Sequence, residues 1–130
     1  MIFKSFEINK INKKINQLIL FYGKNEGLKN EALNILIKDE NNIQNYEEKE
    51  ILDNENSFIE NILSKSLFEK EKFIVIKRTT DKILKVIETL HLKNLEDTTI
   101  ILNSDNLEKK SKLRSLFEKD KTLACVPFYP

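Results

Sequence analysis

The residue types that most often carry chemistry are scarce in this chain. Its 130 residues include one cysteine, one histidine, two glycines and two prolines. A single cysteine excludes an intramolecular disulfide. Cys125, flanked by Leu123, Ala124 and Val126, reads as a small buried hydrophobe rather than a reactive thiol. His91 has no second histidine or cysteine cluster to join it in a metal site. At the end of a predicted helix, its protonated ring would instead complement the helix dipole. So few glycines and prolines leave no flexible internal linker. No apolar run approaches the length of a membrane span, and the N-terminus lacks a secretory apolar core, so a cytoplasmic location is expected. Charge of either sign is not in excess: 22 Lys and Arg face 21 Asp and Glu. That balance gives no global electrostatic case for nucleic-acid binding.

What is present fits one soluble globular domain. A hydrophobic fraction of 40% and a charged fraction of 33% suffice for a core without disulfide or metal support. The abrupt end at Phe128-Tyr129-Pro130, straight after a strand-like segment, suggests a domain cut from a longer protein.

Strand and helix patterns alternate. Leu18–Tyr22 is a continuous apolar run closed by Gly23, as in a buried parallel strand. Asn25 can cap a following helix whose apolar face is Leu28, Ala32, Leu33, Ile35 and Leu36. Asn41 and Asn42 break that pattern, and Tyr46 to Leu52 could be a short polar edge strand. A helix from about Asn56 to Ser64 carries Phe58, Ile59, Ile62 and Leu63. Then come a strand over Lys72–Lys77, a helix over Asp81–Leu92, a strand over Thr98–Leu102, a helix over Leu107–Lys119 and a strand over Thr122–Val126. Ile8, Ile11 and Ile15 suit a short amphipathic helix near the start. This alternation predicts a three-layer α/β fold, a parallel sheet with helices on both faces and right-handed crossovers.

Two stretches hold the functional interest. The turn Gly23-Lys24-Asn25-Glu26-Gly27-Leu28-Lys29 has the strand–glycine–helix setting of a phosphate loop. A working loop needs G-x-x-x-x-G-K-[ST]. Here the glycines are one residue too close, and Leu28 and Lys29 stand in the places of Lys and Ser/Thr. Glu26 suits a helix N-terminus but would repel phosphate. Lys77 and Arg78 occupy the strand end where an acidic metal ligand would be needed. These defects argue against nucleotide hydrolysis. No nucleophile-elbow motif supports a serine triad. The cluster Lys109, Lys110, Lys112 and Arg114 interleaves with core leucines and reads as a solvated helix face.

The second stretch is Lys65-Ser66-Leu67-Phe68-Glu69-Lys70, between a helical and a strand pattern. Connections are normally polar. Leu67 and Phe68 either close onto the core or stand out to meet a partner, and the residue pattern alone favours the core. A near-copy, Arg114-Ser115-Leu116-Phe117-Glu118-Lys119, has Leu113, Leu116 and Phe117 at core spacing, and its surroundings do not match the first.

In four places the chain resembles the N-terminal domain of the delta subunit of bacterial DNA polymerase III, the sliding-clamp opener. They are Leu20-Phe21-Tyr22-Gly23 with Glu26 and Leu28; Ser66-Leu67-Phe68 before a strand; Ile100-Ile101-Leu102 with Leu107 to Leu113; and Val126-Pro127-Phe128. The resemblance spans nearly the whole chain and implies a P-loop NTPase-like (AAA+/RecA-like) fold whose nucleotide site, over Gly23, Lys24, Asn25, Glu26 and Gly27, is degenerate. It implies no cofactor and no catalytic residue, and a clamp-binding tip at Ser66, Leu67 and Phe68; the charged flanks Lys65, Glu69 and Lys70 predict a Phe68 more than half exposed. The implied partners are the sliding clamp (beta subunit) and the other loader subunits (gamma/tau, delta-prime), the latter mainly through a C-terminal collar domain that, like a lid domain, is expected outside this sequence. DNA would be met indirectly, and no membrane is implied. Two other readings remain: a P-loop-type nucleotide-binding enzyme with an atypical loop, and a structural α/β domain with Leu67 and Phe68 buried.

Overall fold

Leu18–Tyr22 (β1) is buried at every position, as a strand covered on both faces must be. The structure, a computed structural model, describes residues 1–37, 42–64, 71–93, 95 and 97–129. Around β1 stand β2 (Ile43–Glu47), β3 (Lys72–Lys77), β4 (Thr98–Ser104) and β5 (Ala124–Pro127). They form a five-stranded sheet in the order β2-β3-β4-β1-β5. Every pairing is parallel.

The helices are α1 (Glu26–Leu36), α2 (Glu48–Asp53), α3 (Glu55–Leu63), α4 (Leu84–His91) and α5 (Lys112–Lys119). Alternation along the strands sorts the core into two layers. Leu18, Leu20, Ile74, Ile76, Ile100 and Leu102 face α2 to α5 through Ile51, Phe58, Ile62, Ile87, Leu113 and Phe117. Ile19, Phe21, Ile101 and Val126 face α1 and a short 3₁₀ turn, Ser5–Lys10, through Ala32, Leu36 and Ile8. The step from β1 out to β2 uses α1 on one face, and every step back toward β5 uses the other face. That is what crossovers of a single hand require. A three-layer α/β architecture is therefore present, as the alternation predicts.

Several boundaries differ from expectation, each for a local reason. The edge strand is Ile43–Glu47 rather than Tyr46 to Leu52, because Glu47 and Glu50 form a reciprocal capping box that starts α2. On α1, Leu28 and Ile35 are exposed, so its buried stripe narrows to Ala32, Leu36 and the Lys29 stem. Ile15 is exposed and lies beyond the N-terminal turn. Asp81–Ile83 is a 3₁₀ turn capped by Thr80, and the α-helix begins at Leu84. β4 runs two residues further than expected, to Ser104. β5 starts at Ala124, because Asp120 holds Thr122 in a turn.

Helix α5 starts at Lys112 rather than Leu107. Ser111 caps it by accepting from the Arg114 N–H. Asp81 reinforces that end, accepting from Ser111 Oγ and from the Lys112 and Leu113 N–H groups. Burial would raise the Asp81 pKa, but these bonds outweigh it and hold the carboxyl below its usual value. At the other end, the Met1 ammonium donates to the Phe117, Asp120 and Leu123 carbonyls, each at 2.7 Å. The next residues bridge to β5, with Phe3 N–H donating to the Cys125 carbonyl at 2.9 Å. Cys125 is fully buried, and desolvation pushes its thiol up to about 12, as suits an inert core residue.

His91 ends α4, as expected. Its Nε2 lies 2.9 Å from Asp120 Oδ2, which ties the ends of α4 and α5 together. Burial alone would raise the Asp120 pKa. Hydrogen bonds from the Thr122 hydroxyl and N–H and from His91 overcome this and bring it to about 2. A carboxylate with a lowered folded-state pKa stabilises the fold above its unfolded value and loses that contribution as pH falls. Asp120→Asn therefore lowers unfolding free energy by about 1 kcal/mol at neutral pH. Urea titrations across pH will show the gap to wild type closing as pH drops from 3.8 to about 2.

Candidate functional site

The carboxyl edge of the sheet around β1 is the place where an open parallel α/β fold binds ligands, because connections diverge there to opposite faces. β1 lies between β4 and β5, and its own connection crosses to the far edge. The glycine turn falls at this switch point.

Gly23 has φ +124°, a conformation that glycine adopts without penalty. A Cβ at this position would stand 2.1 Å from the Phe128 carbonyl oxygen. The chain's own C-terminal segment thus lies directly on the turn. Phe128 N–H donates to the Tyr22 carbonyl at 2.8 Å, and its ring packs edge-on against Phe21 with centroids 5.0 Å apart. Asn25 caps α1 through the Leu28 N–H, as expected, and its amide also donates to the Tyr129 carbonyl at 3.4 Å. Gly27 is in the first turn of α1, and a Cβ there would meet nothing nearer than Asn25 Oδ1 at 3.8 Å. Lys24 and Glu26 are exposed.

Lys29 is the unexpected residue of the site. Its side chain is 1% exposed. The ammonium donates to Asn103 Oδ1 at 2.9 Å and to the Ser104 carbonyl at 3.1 Å, and pairs with Glu26 Oε1 at 2.7 Å. Three oxygens match its three N–H bonds, which leaves no donor for a ligand. In sequence, Lys29 looks like a misplaced loop residue. It is the buried tie between α1 and the end of β4, and Glu26 at i−3 is the single local hint of it.

The neighbouring strand ends are also filled by the chain's own groups. Thr79 and Ser104 share a buried hydroxyl hydrogen bond, and Thr79 N–H donates to the Asn103 carbonyl at 3.1 Å. Glu48 accepts from the Thr80 N–H and hydroxyl at 2.6 and 2.8 Å. Lys77 and Arg78 stand at the end of β3, as read from the sequence. Arg78 has φ +55° and pairs with Glu47 at 3.1 Å. Among the described residues, no three His, Cys, Asp or Glu side chains converge.

Arg114 departs from the solvated face assigned to the basic cluster. Its guanidinium lies 5.0 Å from the Tyr22 ring centroid and donates to the Leu107 carbonyl and to Glu118. Burial and a hydrogen bond with Tyr129 raise the Tyr22 pKa. Lys109, Lys110 and Lys112 are exposed as expected. The near-copy at Arg114–Lys119 lies in α5 with Phe117 buried. Ser66, Leu67 and Phe68 lie outside the described residues. Among the described residues, no helix is long and apolar enough to cross a membrane.

No protein-family model matches the chain, and no curated protein sequence is significantly similar to it.

The two glycines of the turn should respond oppositely to substitution. Gly23→Ala forces a Cβ into the Phe128 carbonyl at positive φ and destabilises by about 2 kcal/mol or more. Gly27→Ala fits an open helical position and stabilises by about 0.4–1 kcal/mol. Thermal and urea unfolding of both variants checks the pair.

Proposed function

We propose that the chain is a clamp-binding domain of a clamp-loader subunit, of the delta type of bacterial DNA polymerase III. In this reading it acts in the cytoplasm during DNA replication, binds the sliding clamp through Leu67 and Phe68, and hydrolyses no nucleotide itself. The observation that carries the reading is the covered glycine turn. A parallel α/β sheet of P-loop NTPase-like design would bind phosphate at this point. Here the Phe128 backbone lies on Gly23, and the nearby ammonium, on Lys29, is saturated. A nucleotide-site relic of this kind fits a subunit that acts by binding.

The place of the proposed tip in the chain supports the same reading. In the chain, residues 65–70 fall between the end of α3 and the start of β3, and the glycine turn follows the carboxyl end of a different strand, β1. The flanking elements are buried through residues of their own, Ile62 and Phe73. Two large apolar side chains entering a pocket on the clamp would contribute about 1.5–3 kcal/mol each. Anchors of this type dominate interface energies. Opening follows if the domain binds the open ring more tightly than the closed one, since a ligand shifts an equilibrium only by its differential affinity. The rival reading, a nucleotide-binding enzyme, requires Phe128 and Tyr129 to leave the turn before any phosphate could reach it.

Binding to the cognate sliding clamp tests the proposal. Wild type binds, and Leu67→Ala/Phe68→Ala loses at least tenfold in affinity with an unchanged melting temperature. A wild type that does not bind, or a double variant that binds normally or loses binding only because it unfolds, refutes it.

A further inference from the structure

The two edges of the sheet are treated differently. Beyond β5, residues 1–3 lie alongside the strand, and the Met1 carbonyl and Phe3 N–H bond to Cys125. Beyond β2 there is no such cover among the described residues, and β2 pairs with β3 alone. The Asn42 carbonyl accepts from Phe73 N–H, so Asn42, Gln44 and Tyr46 turn their peptide groups inward. Ile43 and Asn45 therefore turn theirs outward, and the Glu47 N–H is taken by Glu50. An open edge of this kind is a template for another strand.

A groove runs beside that edge. It has a volume of about 520 Å³ between β2 and helices α2 and α3. Its floor is apolar: Ile51 and Phe58 are buried, and Tyr46 stands edge-on to Phe58 at 5.1 Å. Asn61 donates to the Tyr46 hydroxyl at one side. The rim carries Glu50 and Asp53, both exposed. Of the neighbouring carboxylates, Glu48 is bonded to Thr80 and Glu47 pairs with Arg78, so Glu50 and Asp53 are the two that line the groove. The groove lining thus carries two carboxylates and, among its residues, no lysine or arginine.

We propose that the β2 edge and this groove form a docking site for an extended, basic segment of a partner protein, added as a sixth strand. Backbone groups of Ile43 and Asn45 would pair with the incoming strand, the mode that gives affinity in strand addition. Alternate side chains of that strand point to one face, and so into the groove. Arginine or lysine fits there, with its aliphatic stem over Ile51 and Phe58 and its charge toward Glu50 and Asp53. The site uses none of the residues in the clamp-binding proposal and stands or falls separately.

The test uses a fluorescein-labelled octapeptide alternating arginine and valine, with a glutamate-for-arginine peptide as control. Anisotropy should show saturable binding of the basic peptide and none of the acidic one. Glu50→Gln/Asp53→Asn, which removes both charges while Gln can still close the α2 capping box, should weaken binding at least tenfold, with the melting temperature held. Amide exchange read by NMR supplies the readout that loose charge attraction would not move: Ile43 and Asn45 slow on peptide addition. No binding, equal binding of the acidic peptide, unchanged exchange at those two amides, or self-association of the chain through β2 would each overturn the proposal.

Discussion

The Phe128 carbonyl occupies the space that a Cβ on residue 23 would fill, and the carboxyl edge of the sheet is organised around that contact. It holds only because residue 23 is glycine. With the turn so tightly covered, α1 starts from Asn25 and aims Lys29 inward beneath β4. Burying an ammonium is costly unless it is fully paired. Asn103, Ser104 and Glu26 supply that pairing. The same edge then closes across β3 through Thr79 and Ser104, and across α2 through Glu48 and Thr80. Groups that would greet a phosphate in an open loop are here bonded to one another.

That closure separates architecture from activity. A parallel sheet with a switch point at a glycine turn is a common ligand platform, and a fold alone never fixes a function. The groove proposed beside β2 is lined by none of the turn's residues, and residues 65–70 precede β3 in the chain. Both suit recognition of other proteins. The proposal of a clamp-binding module rests on the covered turn, which leaves recognition to other parts of the chain.

Much of the fold can be read from sequence because its strands are fully buried. Leu18–Tyr22 and Lys72–Lys77 are near-continuous apolar runs and fall where the pattern places them. The defects of the glycine turn are also legible, as is the Asn25 cap. What sequence does not reveal are partners distant along the chain. Nothing near Lys112 indicates that Asp81 finishes the helix start, so Leu107 looks helical when it is not. Nothing near Gly23 indicates that Phe128 will lie on it. Lys29 reads as a misplaced phosphate-loop residue, and its partner Asn103 arrives from distant β4. Charge patterns mislead for the same reason at Arg114, whose guanidinium turns onto Tyr22 rather than to water.

The most direct test of this account is a calorimetric titration of the intact chain with Mg·ATP, followed in parallel by the amide signals of Gly23, Lys29 and Phe128. The account predicts no heat of binding at millimolar nucleotide and no movement of those signals. Saturable binding at one site per chain, with Phe128 shifting away from Gly23, would contradict it and make the turn a working phosphate site.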